Sequence, residues 1–278
     1  MSTELPSLAL VAPPDLPPEQ IIRVAQTIES SGIEELWFWE DCFASSGIGP
    51  AAAALAATDT IKVGIGLLPA PLRAPTLTAM EIATLARIFP GRFRPGLGHG
   101  VRDWMKQAGV AVGSPLTLLR EHTVTINALL AGETDTYAGR YVALEDVTLR
   151  WPPAEIPGLL IGGRGPKTLA LAGELSAGAI LDDVAPTGVP DANRTREAVD
   201  TVRAARAAAG RPGDPEIVAI LPVPETTSTD QLRDRLAELR ANGVATVTVV
   251  AGAVDGPPAG DDRVFALAGQ LQAIAAER

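Results

Sequence analysis

The sequence contains a single cysteine, Cys42, among its 278 residues. One thiol excludes an internal disulfide and a cysteine-rich zinc or iron–sulfur site, so no metal centre is predicted and a reducing compartment fits the composition. The N-terminal residues lack the basic and apolar regions of an export signal. No apolar run reaches the roughly 18 residues that a membrane helix needs. We therefore expect a cytoplasmic protein with no membrane partner.

Basic residues are in the minority, since 23 Lys and Arg stand against 33 Asp and Glu, a net charge of −10. Nucleic acids and anionic membranes require a basic face, so general binders of either are excluded. With 46% apolar and 20% charged residues, the chain can bury a sizeable core. Its length fits one large α/β domain or two ordinary ones.

Short apolar runs typical of β-strands alternate along the whole chain with longer amphipathic stretches. Because a helical stretch follows each run, the strands are predicted to be parallel and joined by crossover helices. Such a pattern forms an open doubly wound sheet or a closed barrel, and eight units favour the barrel. The predicted strands are 8–11, 35–38, 62–67, 92–97, 159–162, 179–182, 216–221 and 245–250.

A long segment separates the fourth and fifth predicted strands. It contains a helical stretch at 114–130 and then the dipeptide Ala138-Gly139, which predicts a hairpin turn. A long insertion at one βα connection of a barrel commonly covers the mouth. We expect residues 113–157 to form a lid insertion within one domain that spans 1–278.

In a parallel barrel the active site forms at the C-terminal ends of the strands, which restricts the candidates. After the second strand, Asp41 and Cys42 suit acid–base, ligand-anchoring or nucleophilic roles, unless Asp41 caps the next helix and Cys42 is a small buried residue. In the third strand, Gly64 and Gly66 leave room for a planar ligand or a bulge, unless they only pack the interior. After the fourth strand, His99 stands between two glycines and is the main polar candidate.

The fifth strand runs into a glycine-rich turn that opens a helix. Free N–H groups of such a turn and the positive end of the helix favour a phosphate, to which Arg164 and Lys167 add charge. The turn is neither a Walker A loop nor a Gly-x-Gly-x-x-Gly dinucleotide turn, and a turn without a ligand is the alternative. It consists of Gly162, Gly163, Arg164, Gly165, Pro166, Lys167 and Thr168.

Two further polar residues are expected to have structural roles. Arg73 follows the third strand and is predicted to be a solvated loop arginine, with contact to a cofactor phosphate or tail as the alternative. His122 falls within the helical stretch at 114–130 and is predicted to be a surface or packing residue.

A set of segments with a characteristic combination of residues extends from Leu8 to Asp182. They are 61–66, 73–75, 84–86, 90–93, 96–100 and 161–173, followed by 177–180. Together they resemble the bacterial luciferase-like oxidoreductases, which depend on a flavin or on coenzyme F420.

The resemblance implies a (β/α)8 TIM barrel that binds coenzyme F420, or alternatively FMN, at the C-terminal ends of its strands. It implies that the turn Gly162 to Thr168 holds the cofactor phosphate and that Gly98 and His99 lie beside the cofactor. It also implies a cis peptide bond between Gly66 and Leu67, which forms a bulge behind the ring, and a homodimer.

The chain departs from this family at two positions. Cys42 stands where the deazaflavin-dependent sugar-phosphate and alcohol dehydrogenases have a histidine, and Val101 stands where the sugar-phosphate enzymes have a glutamate proton donor. The substrate is therefore expected to differ from that sugar phosphate. Either His99 takes part of the acid–base role, or the reaction proceeds without a strong protein acid.

The first hypothesis is an F420-dependent oxidoreductase that transfers a hydride to or from a small, apolar organic substrate. An FMN-dependent luciferase-like monooxygenase is the alternative within the same class. A second class is a non-catalytic barrel that binds a flavin or deazaflavin, which the two departures favour. A third is a TIM-barrel enzyme whose phosphorylated substrate occupies the 162–168 turn.

Overall fold

Eight parallel strands close into a barrel in the computed structural model, which describes residues 5–252 and 261–277. The strands are β1 (Ser7–Ala12), β2 (Glu35–Phe38), β3 (Lys62–Pro69), β4 (Phe93–Gly98), β5 (Asp135–Ala138), β6 (Ala143–Val147), β7 (Leu160–Gly162), β8 (Gly178–Leu181), β9 (Glu216–Val223) and β10 (Thr246–Ala251). Around the barrel the order is β1-β10-β9-β8-β7-β4-β3-β2, while β5 and β6 form a separate antiparallel pair.

Helices follow the barrel strands along the chain. They are α1 (Ile21–Ser30), α2 (Ile48–Ala56), α3 (Pro75–Ile88), α4 (Arg102–Gln107), α5 (Pro115–Leu130), α6 (Pro166–Leu175), α7 (Ala192–Ala208), α8 (Thr229–Ala241) and α9 (Asp261–Ala275). Several begin where the sequence supplies a start signal, because α3, α5 and α6 have proline in their first turn and Ser228 forms a capping box with Gln231 before α8. None of the helices in the described part of the chain is long and apolar enough to cross a membrane.

Each predicted strand corresponds to one barrel strand, with bounds that differ by a few residues at most. The predicted (β/α)8 TIM barrel is therefore confirmed. The predicted turn at Ala138-Gly139 connects β5 and β6 and is also confirmed.

Within the 113–157 segment, α5 packs between α3 and α6 in the outer ring of helices. The hairpin that follows is tied to α5 by Glu121, whose carboxylate accepts the backbone N–H groups of Arg140, Tyr141 and Val142 at 2.7–2.9 Å. The Tyr141 hydroxyl in turn accepts the N–H of Ser114 at 2.9 Å, at the start of α5. The hairpin tip thus lies at the helix end that faces the C-terminal ends of the strands.

The N-terminal end of the barrel is filled by a charged cluster that the sequence did not reveal. Arg94 of β4 forms ion pairs with Glu35 of β2 and Glu216 of β9. Glu35 also accepts the indole N–H of Trp37 at 2.8 Å, and the Arg94 guanidinium lies over the Trp37 ring. Paired charges at this end of a barrel serve packing and stability, since the chemistry of such folds lies at the opposite end.

Trp37 also explains one of the strand glycines. A Cβ atom at Gly64 would overlap the indole ring, so this position must lack a side chain. Gly64 therefore packs the barrel interior, and a ligand role there is not supported.

Candidate functional site

Three candidate positions meet at the C-terminal end of the barrel. The Gly66–Leu67 peptide bond is cis, as the resemblance implied, and the pairing of β3 with β4 shifts register between Ile65 and Leu68. The bulge directs the Leu67 side chain toward the neighbouring strands. A Cβ atom at Gly98 would overlap it, and a Cβ at Gly162 would lie 2.5 Å from Leu67 Cδ2. These two glycines make room for the bulged leucine.

His99, which follows β4, contacts the predicted phosphate turn. Its Nε2 lies 2.9 Å from the hydroxyl of Thr168, a buried residue in the first turn of α6. The Nδ1 atom is buried and makes no well-formed hydrogen bond with the described residues. Burial lowers the pKa of His99, and the carbonyl group of Pro115 opposes this shift. The ring is therefore favoured in its neutral form, in which one nitrogen donates and the other accepts a hydrogen bond.

The turn between β7 and α6 has the geometry of an anion site at its helical end. Gly165 is the N-cap, Pro166 follows it, and Thr168 with its hydroxyl is the third residue of the helix, within the first turn. The space beside Gly165 is open, since a Cβ atom there would meet no heavy atom within 4 Å. Gly163 has no such open space, because a Cβ atom added there would lie 2.5 Å from Thr168 Cγ2. Open space, unpaired N–H groups and a positive helix end suit a phosphate.

The two predicted cations of this turn differ in their surroundings. The Arg164 Nε donates to Asp182 Oδ1 at 2.9 Å, and this bond together with the Asp182 charge raises the pKa of Arg164. Lys167 is exposed and lines a cavity of about 590 Å³ together with His99 and Thr168.

Two further cations, Arg102 and Lys106, line the same cavity and were missed in the sequence. They belong to α4, where a spacing of four residues places both side chains on one face, and this spacing is the signal that could have identified them. Lys106 forms an exposed ion pair with Asp103 at 3.2 Å, but no carboxylate lines the cavity itself. The cavity therefore favours an anionic ligand.

The candidates after β2 lie apart from this cavity, since neither Asp41 nor Cys42 lines it. Burial raises the pKa of the Asp41 carboxyl, which keeps it protonated to a higher pH than usual. Burial also raises the pKa of the Cys42 thiol, and the negative charges of Glu40 and Asp41 add to this. A thiol in such surroundings is a poor nucleophile at neutral pH.

Arg73 is not the solvated loop arginine that the sequence predicted. Its side chain, 13% exposed, forms ion pairs with Glu40 after β2 and with Glu81 of α3. Glu40 also accepts the N–H of Gly47 at 2.8 Å, immediately before α2. The connection after β2 and helix α3 each bring one carboxylate to the Arg73 side chain. These two carboxylates compensate its positive charge.

His122 is buried, as one of its two predicted environments required. Its Nδ1 lies 3.0 Å from the carbonyl oxygen of Leu118, and its Nε2 lies 3.2 Å from that of Arg73. It lines a second cavity of about 430 Å³ between the β3–α3 connection and the hairpin tip. The two cavities adjoin, because Pro71 and Val112 line both.

No group of three or more His, Cys, Asp or Glu side chains in the described ranges could hold a metal ion. The candidate site therefore consists of cations, backbone N–H groups, one imidazole and an apolar bulge.

A closed barrel with this bulge and this strand-to-helix turn is the architecture that the resemblance implied, and the comparison with known proteins agrees. The model of the luciferase-like monooxygenase family matches residues 5–272. The chain belongs to this family, which confirms the resemblance found in the sequence.

One curated relative is the 5,10-methylenetetrahydromethanopterin reductase of Archaeoglobus fulgidus, which is 30% identical over 201 residues. The match covers 68% of this chain and 60% of the relative, so the chain spans about three fifths of that protein. Among solved structures, the F420-dependent tetrahydromethanopterin reductase of Methanopyrus kandleri has a TM-score of 0.80 at 20% identity and covers 97% of this chain and 98% of its own. An F420-dependent secondary alcohol dehydrogenase in complex with an F420–acetone adduct also has a TM-score of 0.80, at 16% identity, and covers 98% and 99%. At these identities the two structures show the fold alone.

Proposed function

We propose that the protein is an oxidoreductase that uses coenzyme F420 to transfer a hydride to or from a small organic molecule. The observation that carries the proposal is the cation-lined cavity at the mouth of the barrel, which joins His99, Lys167 and Thr168 to the start of α6. The cofactor assignment is supported by the names of both solved structures, each of which includes F420.

The residues of the site fit a long anionic cofactor. The open space beside Gly165 and the first turn of α6 suit a phosphate group. Arg102, Lys106 and Lys167 extend the positive region beyond the volume that one phosphate needs. A cofactor with several negative charges would use all of them, whereas FMN has a single phosphate group.

The protein groups would bind, orient and move protons, while the bound coenzyme supplies the hydride chemistry. Thr168 and the N–H groups at the start of α6 would hold the phosphate. The Gly66–Leu67 bulge would support one face of the ring, with Gly98 and His99 at its edge. Asp41, whose pKa is raised by burial, lies outside the cavity and would exchange a proton with a substrate that extends from the cavity to the connection after β2. Cys42, on the same connection, would remain an uncharged thiol.

Titration of the purified protein with F420, and separately with FMN, tests the proposal through the quenching of tryptophan fluorescence. We expect F420 to bind more tightly than FMN. Thr168→Val should weaken F420 binding about tenfold, because a hydrogen bond to a charged group contributes roughly 1.5–3 kcal/mol. Thr84→Val, at an exposed position on α3, is the matched control and should leave affinity unchanged.

A preference for FMN would instead support a luciferase-like monooxygenase, the activity in the name of the family model. Binding of neither compound would contradict the proposal. Tight binding without turnover on any donor or acceptor would support the non-catalytic barrel. Two residues favour that alternative, because neither Val101 nor the protonated Cys42 thiol supplies a proton-transfer group.

We further propose a homodimer formed through α3. Leu77, Met80 and Ile88 of this helix are 46%, 55% and 61% exposed and recur at helical spacing on its outer face. Sedimentation of the wild type and of Met80→Glu tests this, and we expect the charged side chain to dissociate the dimer. A dimer in the Met80→Glu variant would show that the interface does not involve this face of α3.

The hairpin within 113–157 is proposed as the lid over the substrate. Its tip lines the second cavity through Tyr141, Val142 and Leu144, next to the β3–α3 connection. A cytoplasmic location remains a prediction from the sequence.

A further inference from the structure

Charges are distributed unevenly over the connections at the C-terminal ends of the strands, which would surround a bound substrate. Six of the eight connections carry no unpaired cation in their described residues: Arg73 is neutralised by Glu40 and Glu81, and the rest contain no Lys or Arg. The undescribed residues 253–260 contain no Lys or Arg in sequence either. Free positive charge is therefore confined to the connections that follow β4 and β7.

The first turns of the helices do not change this distribution. Arg23 of α1 lies over the ring of Phe265. Arg194 of α7 pairs with Asp183, and Arg263 of α9 pairs with Glu225. These arginines are engaged by protein groups and would have to be released before they could hold a substrate anion.

Acidic residues are spread over the remaining connections. They are Asp15, Glu19, Glu40, Asp41, Asp182, Asp183, Asp191 and Glu225. Glu40, Asp182, Asp183 and Glu225 are paired with Arg73, Arg164, Arg194 and Arg263, which leaves Asp15, Glu19, Asp41 and Asp191 without an ion pair to another described residue. With no free cation beside them and a net charge of −10 on the chain, this part of the mouth is unfavourable for anions.

Apolar side chains are exposed on three connections at this end of the barrel, of which one is the cationic connection after β4. Phe43 is 73% exposed after β2, Val101 is 50% exposed after β4, and Val189 is 49% exposed after β8. Exposed apolar groups near a binding mouth favour ligands with apolar surface, because their contact removes that surface from water.

We infer that the substrate is an uncharged or cationic molecule with apolar surface, and that phosphate esters and carboxylates are rejected. The inference rests on the proposed function, since the cofactor would occupy the cations after β4 and β7 and leave none for the substrate. An anionic group at the remaining positions would be desolvated without a counter-charge, which is strongly unfavourable. Val101 thus contributes to specificity by placing an uncharged side chain beside the cationic region.

The first test uses protein loaded with F420, with loading measured beforehand so that failure of the cofactor proposal is seen separately. Matched pairs are then compared: glucose with glucose 6-phosphate, and 2-propanol with lactate. We expect the anionic member of each pair to be at least tenfold poorer in kcat/KM, or in binding detected by the cofactor absorbance. An anionic member that equals or exceeds its neutral partner would overturn the inference.

A second test needs no substrate, because iodide and acrylamide report charge and access by collisional quenching of tryptophan. The variant Trp104→Phe/Trp151→Phe keeps Trp39, which is half-buried at the mouth, and Trp37. Trp37 is only 2% exposed, so neither quencher reaches it and the quenching reports on Trp39. Trp39→Phe/Trp151→Phe leaves Trp104 on α4, beside Arg102 and Lys106, as the matched control. We expect the ratio of iodide to acrylamide quenching to be several-fold lower at Trp39 than at Trp104. Equal ratios, in the loaded and unloaded protein, would contradict the inferred charge distribution.

Discussion

The two ends of the barrel use charge in opposite ways. At the N-terminal end, Arg94 is enclosed by Glu35 and Glu216 and stacks on Trp37, so the charges of this cluster are paired inside the fold. At the C-terminal end, Arg102 and Lys167 face a cavity that no carboxylate lines. The paired charges around Arg94 are part of the packing of the fold. The charges of Arg102 and Lys167 have no carboxylate in the cavity, so they are candidates for contact with a ligand.

Removal of Arg94 should give the largest effect. Arg94→Met leaves Glu35 buried without a counter-charge, and we expect a loss of about 3–5 kcal/mol in the free energy of unfolding. Urea unfolding measures it. Arg102→Gln, at the open end, should change the free energy of unfolding by less than about 0.5 kcal/mol. A similar loss in both variants would remove the distinction between the two ends.

The cations of the open end should act on affinity instead. Arg102→Gln/Lys106→Gln/Lys167→Gln is expected to weaken F420 binding between about 10-fold and 100-fold at low salt, because charge-assisted contacts are lost. Salt should weaken binding to the wild type more than to the variant. Arg150→Gln is the control, since this arginine lies over Trp151 outside the cavity. An unchanged affinity in the triple variant would show that the cations do not contact the cofactor.

Gly96, in the packed barrel, and Gly165, beside the open cavity, allow the same substitution to be compared in packed and in open surroundings. The Cβ atom of Gly96→Ala would lie 2.5 Å from the carbonyl oxygen of Ile65, a backbone atom that cannot move away easily. We expect a loss of about 1–3 kcal/mol from this overpacking. Gly165→Ala meets open space and should lose less than about 1 kcal/mol, the cost of a poorer N-cap residue. Its F420 affinity should fall, since the methyl group would occupy the proposed phosphate site. Equal affinity in Gly165→Ala and the wild type would argue against that site.

The smallest expected effect is on the pH dependence of stability. Burial lowers the pKa of both histidines, His99 and His122, in the folded state. Between that lowered pKa and the ordinary value of about 6.5, the unfolded chain binds more protons, so stability should fall as the pH drops through this window. Unfolding of His99→Gln should show a weaker fall than the wild type.

NMR can follow each ring separately, because the chain has only two histidines. We expect His122 to titrate at a higher pH than His99. The carbonyl groups of Arg73 and Leu118 and the charge of Glu121 favour its protonated form, whereas the carbonyl of Pro115 alone does so at His99. The reverse order would show that the two carbonyl contacts of His122 are absent in solution.

Much of the fold and part of the site could be predicted from local patterns. Helix starts at prolines, the alternation of strands and helices, and the glycine-rich turn before Thr168 depend on neighbours along the chain. The family resemblance added the cis bond at Gly66–Leu67, which the structure contains. Periodicity alone would not have indicated it.

Other features depend on contacts between distant segments. Arg73 reaches Glu40 across the β2 and β3 connections, and Arg164 turns to Asp182. In both cases the sequence shows an arginine near a binding turn but not the carboxylate that neutralises it. Arg102 and Lys106 show the opposite case, in which cations that are far in sequence from the 162–168 turn line the same cavity as Lys167. The sequence does not show this, because only the folded chain places α4 beside the start of α6.

The sequence by itself therefore determined the barrel, its strands, its family and the turn that suits a phosphate, because hydrophobic period, caps and turn residues act over a few positions. The tertiary structure alone decided which charges remain free. Ion pairs form wherever closure of the barrel brings side chains within reach, and the charges left unpaired at the open end are the ones that the proposed anionic cofactor would contact.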